Sequence, residues 1–192
     1  MKNKLFALLL VCILLLAGCG KGSFTTRELA GVLPELVEKS VPLNEIYFGE
    51  GFLPDGNAES LPVRGYYYAD STAAGFASIA EIREATEEVF TPSYAAILYA
   101  SAFDGMTDGD TVVAPRYIEG EQGILQQIGG KVYDLPAREY LWETLSIVKS
   151  DADRVTVAVD TVANGETVPV ELIVNRTVTA DSNVYRLDSP TY

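Results

Sequence analysis

The residues best placed to do chemistry in this sequence are carboxylates grouped in two short stretches. The first is FDGMTDGD, residues 103–110, where three aspartates could offer the loop oxygen ligands that Ca²⁺ prefers. Met106 occupies the position of the second ligand, and no glutamate stands at the twelfth position counted from Asp104. A solvent-exposed turn is therefore the favoured interpretation, and no metal site is predicted.

The second group is Glu81, Glu84, Glu87 and Glu88, and pairs of carboxylates are the catalytic groups of glycoside hydrolases. These glutamates lie opposite the apolar positions of a predicted helix, where an amphipathic helix presents charge to solvent. The chain has no histidine, so neither a Ser-His-Asp nor a Cys-His arrangement can form. No catalytic residue or cofactor is predicted, and a hydrolase that uses carboxylates in a pocket stays open as the alternative.

Four side chains are candidates for binding rather than catalysis. Tyr67 lies in the strand-like stretch YYY, where alternation turns at least one tyrosine outwards. Tyr140 and Trp142 are two positions apart in a predicted strand and therefore share a face, which could form a concave pocket. Arg116 follows Pro115 and could place a positive charge at the mouth of such a pocket. Packing within the fold is the competing interpretation for the aromatic residues.

The elements that position these residues follow an N-terminal leader. Lys2 and Lys4 precede thirteen uncharged, mostly aliphatic residues, Leu5–Ala17, which is the organisation of an export signal. This stretch is shorter than the roughly 20 apolar residues that a membrane-spanning helix needs. We therefore predict export rather than a transmembrane anchor.

The residues Leu16-Ala17-Gly18-Cys19 resemble the lipobox of bacterial lipoproteins at every position. The resemblance implies that the Cys19 sulfur receives a diacylglyceryl group and that a peptidase cleaves the chain just before it. We therefore expect a signal peptide over residues 1–18 and a lipidated cysteine with a short tether over residues 19–25. Acyl chains on Cys19 would hold the protein on the extracytoplasmic side of the cell membrane, since each buried CH₂ contributes about 0.8 kcal/mol.

The charge of the predicted mature chain limits its partners. Cleavage before Cys19 would remove Lys2 and Lys4 and leave 12 basic against 27 acidic residues, a net charge of −15. Such a chain is ill suited to nucleic acid, whose binding depends on basic side chains that neutralise phosphates. We expect instead a basic envelope protein as partner, steered by the acidic helix at Glu81–Glu88. Cys12 would be lost with the signal, so the mature chain could form no internal disulfide.

Three helices are predicted in the first half of the domain. A capping box at Thr25 starts a helix expected over residues 26–46, in which Pro34 could introduce an irregularity. A second box at Ser78 starts another amphipathic helix. The third helix is expected over Pro92–Phe103, because proline suits a first helical turn.

After these helices the apolar residues alternate, which is the pattern of strands. The predicted strands are TVVAPRYIE, ILQQI, REYLWETLSIVK, DRVTVAVDTV, ETVPVELIVNRTV and NVYRLD. Asn164-Gly165 is a strong signal for a tight hairpin, and the last four strands should form an antiparallel meander. The order of elements predicts a single α+β domain over residues 26–192, with N-terminal helices packed on a curved antiparallel sheet.

This order of elements, over about residues 64–190, resembles the cystatin-like and nuclear-transport-factor-like α+β cone. The succession of a helix, a helix begun by Thr-Pro and a sheet also resembles secreted inhibitors of bacterial DL-endopeptidases. The resemblance implies a fold but no activity, because such cones include both enzymes and binding modules. We therefore expect a non-catalytic, lipid-anchored envelope protein that binds a protein or a small ligand. An envelope peptidase inhibitor and a structural envelope component stay open.

Overall fold

A computed structural model describes residues 23–56, 63–109 and 111–192. The predicted signal peptide, Cys19 and most of the predicted tether therefore lie outside the described residues. The fold is α+β, with helices that precede an antiparallel sheet, as the sequence predicts. Its helices are α1 (Thr26–Tyr47), α2 (Ile79–Val89) and α3 (Pro92–Tyr99), and its strands are β1 (Tyr66–Tyr68), β2 (Met106–Asp108), β3 (Thr111–Val113), β4 (Tyr117–Gly120), β5 (Gly123–Gln127), β6 (Glu139–Ser150), β7 (Arg154–Ala163), β8 (Glu166–Val178) and β9 (Asn183–Leu187).

The first helix begins at its predicted capping box and continues without a break. The Thr25 hydroxyl accepts a hydrogen bond from the Glu28 N–H at 3.2 Å, and the Glu28 carboxylate accepts one from the Thr25 N–H at 3.3 Å. Helix α1 runs through both Pro34 and Pro42, so the irregularity expected at Pro34 does not interrupt it. Each proline costs a backbone hydrogen bond, which is offset by burial of the helix's inner apolar face. That face consists of Leu29, Leu33, Leu36, Val37, Leu43 and Ile46.

The last four strands form the predicted meander, in the order β6-β7-β8-β9. Ala163 pairs with Glu166 across the β7–β8 turn, and the two turn residues both have positive φ, 52° at Asn164 and 82° at Gly165. Those angles match a type I′ turn, which explains the Asn-Gly pair. Val155, Val157 and Val159 lie on the buried face of β7, as their alternation predicts.

The stretch TVVAPRYIE is not one strand, and this prediction is wrong. Strand β3 pairs with β2 in a separate hairpin, whereas β4 pairs with β5 in a three-stranded sheet of order β1-β5-β4. Pro115 lies between the two strands and cannot donate a ladder hydrogen bond, so it marks the point where the chain leaves one sheet for the other.

The third helix also differs from its prediction. Its α-helical part ends at Tyr99, and Ala100–Asp104 forms a π-helical turn. This turn presents the Asp104 carboxylate to Arg83, with a nitrogen–oxygen distance of 2.7 Å. The turn therefore ties the end of α3 back to α2.

The first described residues of the domain contact side chains of the sheet. Phe24, which the sequence analysis placed in the tether, is only 5% exposed, and the Arg176 guanidinium carbon lies 4.1 Å above its ring. Arg176 also pairs with the Glu28 carboxylate at 3.1 Å, and the Tyr185 hydroxyl donates to the same carboxylate. Phe24, although predicted as part of the tether, therefore packs against the folded domain.

We expect acid to weaken these contacts by protonating Glu28. Burial alone would raise the pKa of the Glu28 carboxyl, but hydrogen bonds from Tyr185 and Arg176 outweigh burial and hold the pKa below its ordinary value of 4.5. A depressed folded-state pKa means that the stabilisation is complete above about pH 4.5 and is lost as pH falls through the folded value. Urea unfolding from pH 6 downwards should therefore show a smaller acid-dependent loss of unfolding free energy in Glu28→Gln than in the wild type. Glu38→Gln, a change at an exposed residue of α1, is the control, and equal losses in all three proteins would contradict the assignment.

Candidate functional site

Two adjoining clefts open where the end of α1, the β2–β3 hairpin and the loop after β5 meet. The first has a volume of about 240 Å³ and includes Met106 and Tyr133 in its lining. The second has a volume of about 280 Å³ and includes Tyr67 in its lining. Arg116 and Gln127 line both clefts, so we call them the paired clefts.

Arg116 lies between the paired clefts and is held entirely by neutral oxygen atoms. It is 9% exposed, and its Nε donates to the Tyr117 hydroxyl at 3.1 Å. Its Nη1 donates to the Lys131 carbonyl at 3.0 Å, and its Nη2 donates to the Gly49 carbonyl. No carboxylate among the described residues lies within 4 Å of its guanidinium nitrogens. The guanidinium therefore holds a fixed positive charge with no described carboxylate in direct contact, although Glu50 lines the second cleft with it.

The loop that follows α1 forms one wall of the second cleft and is pinned by side chains of β1 and β5. Gln126 accepts from the Phe52 N–H at 2.7 Å and donates to the Glu50 carbonyl at 2.8 Å. The Tyr67 hydroxyl donates to the Phe52 carbonyl at 3.1 Å. These bonds fix the backbone of the loop on which the Arg116 guanidinium rests.

Gly51 is required for this arrangement. Its φ of 78° favours glycine, and a Cβ added there would stand 2.3 Å from the Tyr117 hydroxyl oxygen. Sequence reasoning missed both Gly51 and Gln126. The sequence signal available for this loop is the pair Gly49 and Gly51, because glycine permits a close approach of the backbone.

Large apolar side chains stand exposed around the paired clefts. Met106, Val113 and Tyr133 line the first cleft and are 45%, 43% and 45% exposed. Ile128 and Val132 line the second and are 50% and 52% exposed. Single exposed apolar residues are ordinary, but several around one concavity are typical of an interaction site.

The charge at the paired clefts contrasts with that of the whole chain. The chain has 27 acidic and 14 basic residues, yet the first cleft is lined by Arg116 and Lys131 with no acidic residue among its described lining. The Lys131 ammonium lies 4.4 Å from the centre of the Tyr133 ring, a cation–π contact that orders both side chains. Glu50 lines the second cleft. The first cleft is therefore locally positive on a strongly acidic protein.

Buried Tyr117 and half-buried Tyr67 act as hydrogen-bond donors rather than as acids or bases. Burial raises the pKa of Tyr117 to about 12, against a smaller opposing effect of Arg116. Burial also raises the pKa of Tyr67, again partly opposed by Arg116. Both phenols are thus protonated at neutral pH. The arrangement suits binding by shape, apolar contact and one guanidinium.

Tyr140 and Trp142 share a face, as their spacing predicts. Their rings stack with centroids 4.9 Å apart and planes at 12°, and both pack against the apolar core. Tyr140 also lines a third cleft, which does not include Arg116. The four predicted binding residues therefore form two separate pairs, Arg116 with Tyr67 and Tyr140 with Trp142.

The carboxylates singled out in the sequence do not converge. Within residues 23–56, 63–109 and 111–192, no group of three or more histidine, cysteine, aspartate or glutamate side chains could hold a metal ion. Asp104 pairs with Arg83, and Asp110 lies outside the described residues. Glu81, Glu84, Glu87 and Glu88 are all exposed on α2, as expected for a solvated face. In the part of the chain that the structure covers, no helix is long and apolar enough to cross a membrane.

The chain matches no known family model, and no curated protein or solved structure shows significant similarity to it.

Proposed function

We propose that this chain is an exported, lipid-anchored, non-catalytic binding protein of the bacterial cell envelope, and that it binds a protein partner at the paired clefts. The observation that carries the proposal is the ring of exposed apolar side chains around the buried, positively charged Arg116. Protein interfaces concentrate their binding energy in such centres, where an arginine or aromatic anchor is shielded from water by apolar neighbours.

The geometry of Arg116 indicates what the partner must supply. The guanidinium has five N–H groups, and three hydrogen bonds within the domain fix its orientation. Because it is already ordered, binding costs little further side-chain entropy. A partner segment with a carboxylate flanked by apolar side chains would match the charge and the surrounding surface.

The anchor supports an envelope location. The export signal and the lipobox at Cys19 are sequence features, and Phe24, five residues further on, is already buried in the domain. Five fully extended residues span at most about 18 Å. The domain would therefore be held close to the membrane surface, where membrane-associated proteins are the accessible partners.

The negative charge of the domain favours association with a basic partner at long range, before the local contact forms. A net charge of −15 on the mature chain would attract a basic envelope protein and accelerate its association, an effect that salt screens within about 8–10 Å. Glu84 and Glu88 are exposed on α2 and are available for this steering. The association rate, followed by biosensor kinetics, should therefore fall as salt rises, and a rate indifferent to salt would remove this element of the proposal.

The alternatives receive less support from the site. Glycoside hydrolysis uses two carboxylates, whereas Glu50 is the sole carboxylate among the described residues that line the paired clefts. Inhibition of an envelope peptidase is compatible with the proposal, because the bound partner could be such an enzyme. The cone resemblance stays a prediction about the fold.

A matched pair of charge insertions tests whether the paired clefts bind the partner. Ile128 lines the second cleft and is 50% exposed, whereas Val148 on β6 is 55% exposed and lines none of the clefts described above. We expect Ile128→Asp to reduce recovery of the partner from crosslinked envelopes at least tenfold, because the new carboxylate would place a charge in an apolar contact and compete with the partner's carboxylate for Arg116. Val148→Asp should leave recovery unchanged. Equal recovery with both variants would contradict binding at the clefts.

A further inference from the structure

A third cleft lies between the second half of α1, residues 135–138 and the last residues of the chain. It has a volume of about 160 Å³ and shares no lining residue with the paired clefts. Its walls are mainly apolar and include Val37, Val41, Leu135, Pro136 and Tyr192. Arg138 also lines this cleft, so a cation faces an apolar concavity.

The floor of the third cleft is a polar cluster that already satisfies its own groups. Asn44 donates to the Thr191 hydroxyl at 2.8 Å, and the Thr191 and Ser40 hydroxyls are 2.6 Å apart. The Tyr140 hydroxyl donates to the Thr191 carbonyl at 2.7 Å. Burial raises the pKa of Tyr140 to about 12, partly opposed by Arg138, so its phenol keeps this proton at neutral pH. These groups hold the chain end in place and explain why polar residues occupy inward positions of α1.

Arg138 differs from these residues because its donors are not satisfied. Its Nη1 donates to the Thr161 hydroxyl at 3.2 Å, whereas its Nε is buried and has no hydrogen-bond partner among the described residues. No described carboxylate lies within 4 Å of its nitrogens, although the exposed Glu45 lines the same cleft further away. A buried donor without an acceptor is destabilising, and the half-buried guanidinium has no described carboxylate in contact with it.

We propose that the third cleft binds a small monocarboxylate with an apolar body, whose carboxylate pairs with Arg138 and whose apolar part packs on Val37, Val41 and Tyr140. A carboxylate presents two oxygen atoms with the spacing of a guanidinium fork, so it can accept from the terminal nitrogens of Arg138, which lines the cleft; the buried Nε is out of its reach. The apolar walls exclude a ligand that is charged throughout. This site is independent of the paired clefts, so either proposal can fail without the other.

The test compares acids with their uncharged amides. Benzoate and butyrate would be titrated into the isotopically labelled mature protein in detergent micelles. Benzamide and butyramide would serve as neutral ligands of the same shape. The affinity of each ligand would be measured from the changes in NMR chemical shifts. We expect saturable binding of the acids and at least tenfold weaker binding of the amides. Equal affinity for acid and amide, or no saturable change with either acid, would overturn the proposal.

A pair of substitutions assigns the effect to one residue. Arg138→Gln should weaken binding of benzoate at least tenfold, whereas Arg27→Gln, the same change at an exposed position of α1, should leave it unchanged. Circular dichroism would establish that both variants are folded. If Arg138→Gln does not fold, the comparison of acid with amide in the wild type still tests whether the third cleft binds a monocarboxylate. Unchanged affinity in a folded Arg138→Gln protein would overturn the assignment.

Discussion

Replacement of Cys19 by serine should abolish lipid labelling and leave the precursor of the protein uncleaved. The Cys19 sulfur is the atom that lipobox processing modifies, and a serine hydroxyl cannot form the thioether that carries the diacylglyceryl group. This variant would therefore lack the lipid anchor that we propose for the protein. We expect complete loss of labelling by radioactive palmitate and a larger apparent mass that includes residues 1–18.

The sequence provides a matched control for this experiment. Cys12 is the only other cysteine of the chain and lies within the apolar stretch of the signal. Cys12→Ser should be exported, cleaved and labelled like the wild type. Labelling that survives in Cys19→Ser, or that disappears in Cys12→Ser alone, would show that the lipidation site is assigned to the wrong residue.

The second large effect is expected from Arg116→Met. The variant loses three hydrogen bonds from a charged donor, each worth about 1.5–3 kcal/mol, and relief of the buried charge offsets part of that loss. We expect the free energy of unfolding to fall by about 2–4 kcal/mol in urea titrations. Recovery of the partner from envelopes should fall more than tenfold, because the anchor of the paired clefts is gone.

A control of similar instability separates binding from folding. Leu172 is fully buried in β8 and lines none of the three clefts, and a buried Leu→Ala change costs about 2–5 kcal/mol. Below the unfolding temperature of both variants, Leu172→Ala should recover the partner normally. If the two variants lose the partner to the same degree, Arg116 has a structural role and the contact proposed for it is wrong.

Elements with local signals could be predicted from the sequence. Thr25 and Ser78 cap their helices, Pro92 starts the third helix and Asn164-Gly165 forms the hairpin turn. Each depends on residues within four positions along the chain, so neighbouring residues contain the information. The shared face of Tyr140 and Trp142 was predictable for the same reason, since it follows from the period of a strand.

Contacts between distant parts of the chain could not be predicted. Arg116 binds the Gly49 carbonyl, 67 residues earlier, and this contact depends on how β1, β4 and β5 assemble. The pattern of residues 111–119 predicts one strand, whereas the chain changes sheets at Pro115 and turns Arg116 inwards. Alternation indicates which side chains share a face but not which strands become neighbours. For this reason the sequence does not predict that Arg116 and Tyr140 lie at separate clefts.

Site-specific photo-crosslinking in living cells tests the central claim most directly. A photoreactive amino acid would replace Ile128 in one protein and Val148 in another, with Cys19 intact in both, and light-dependent adducts would be sought in the membrane fraction. The account predicts a discrete adduct with one envelope protein from position 128, none from position 148, and loss of the adduct when Arg116→Met is added. Adducts of equal yield from both positions, or an adduct from position 128 that is unaffected by Arg116→Met, would contradict it.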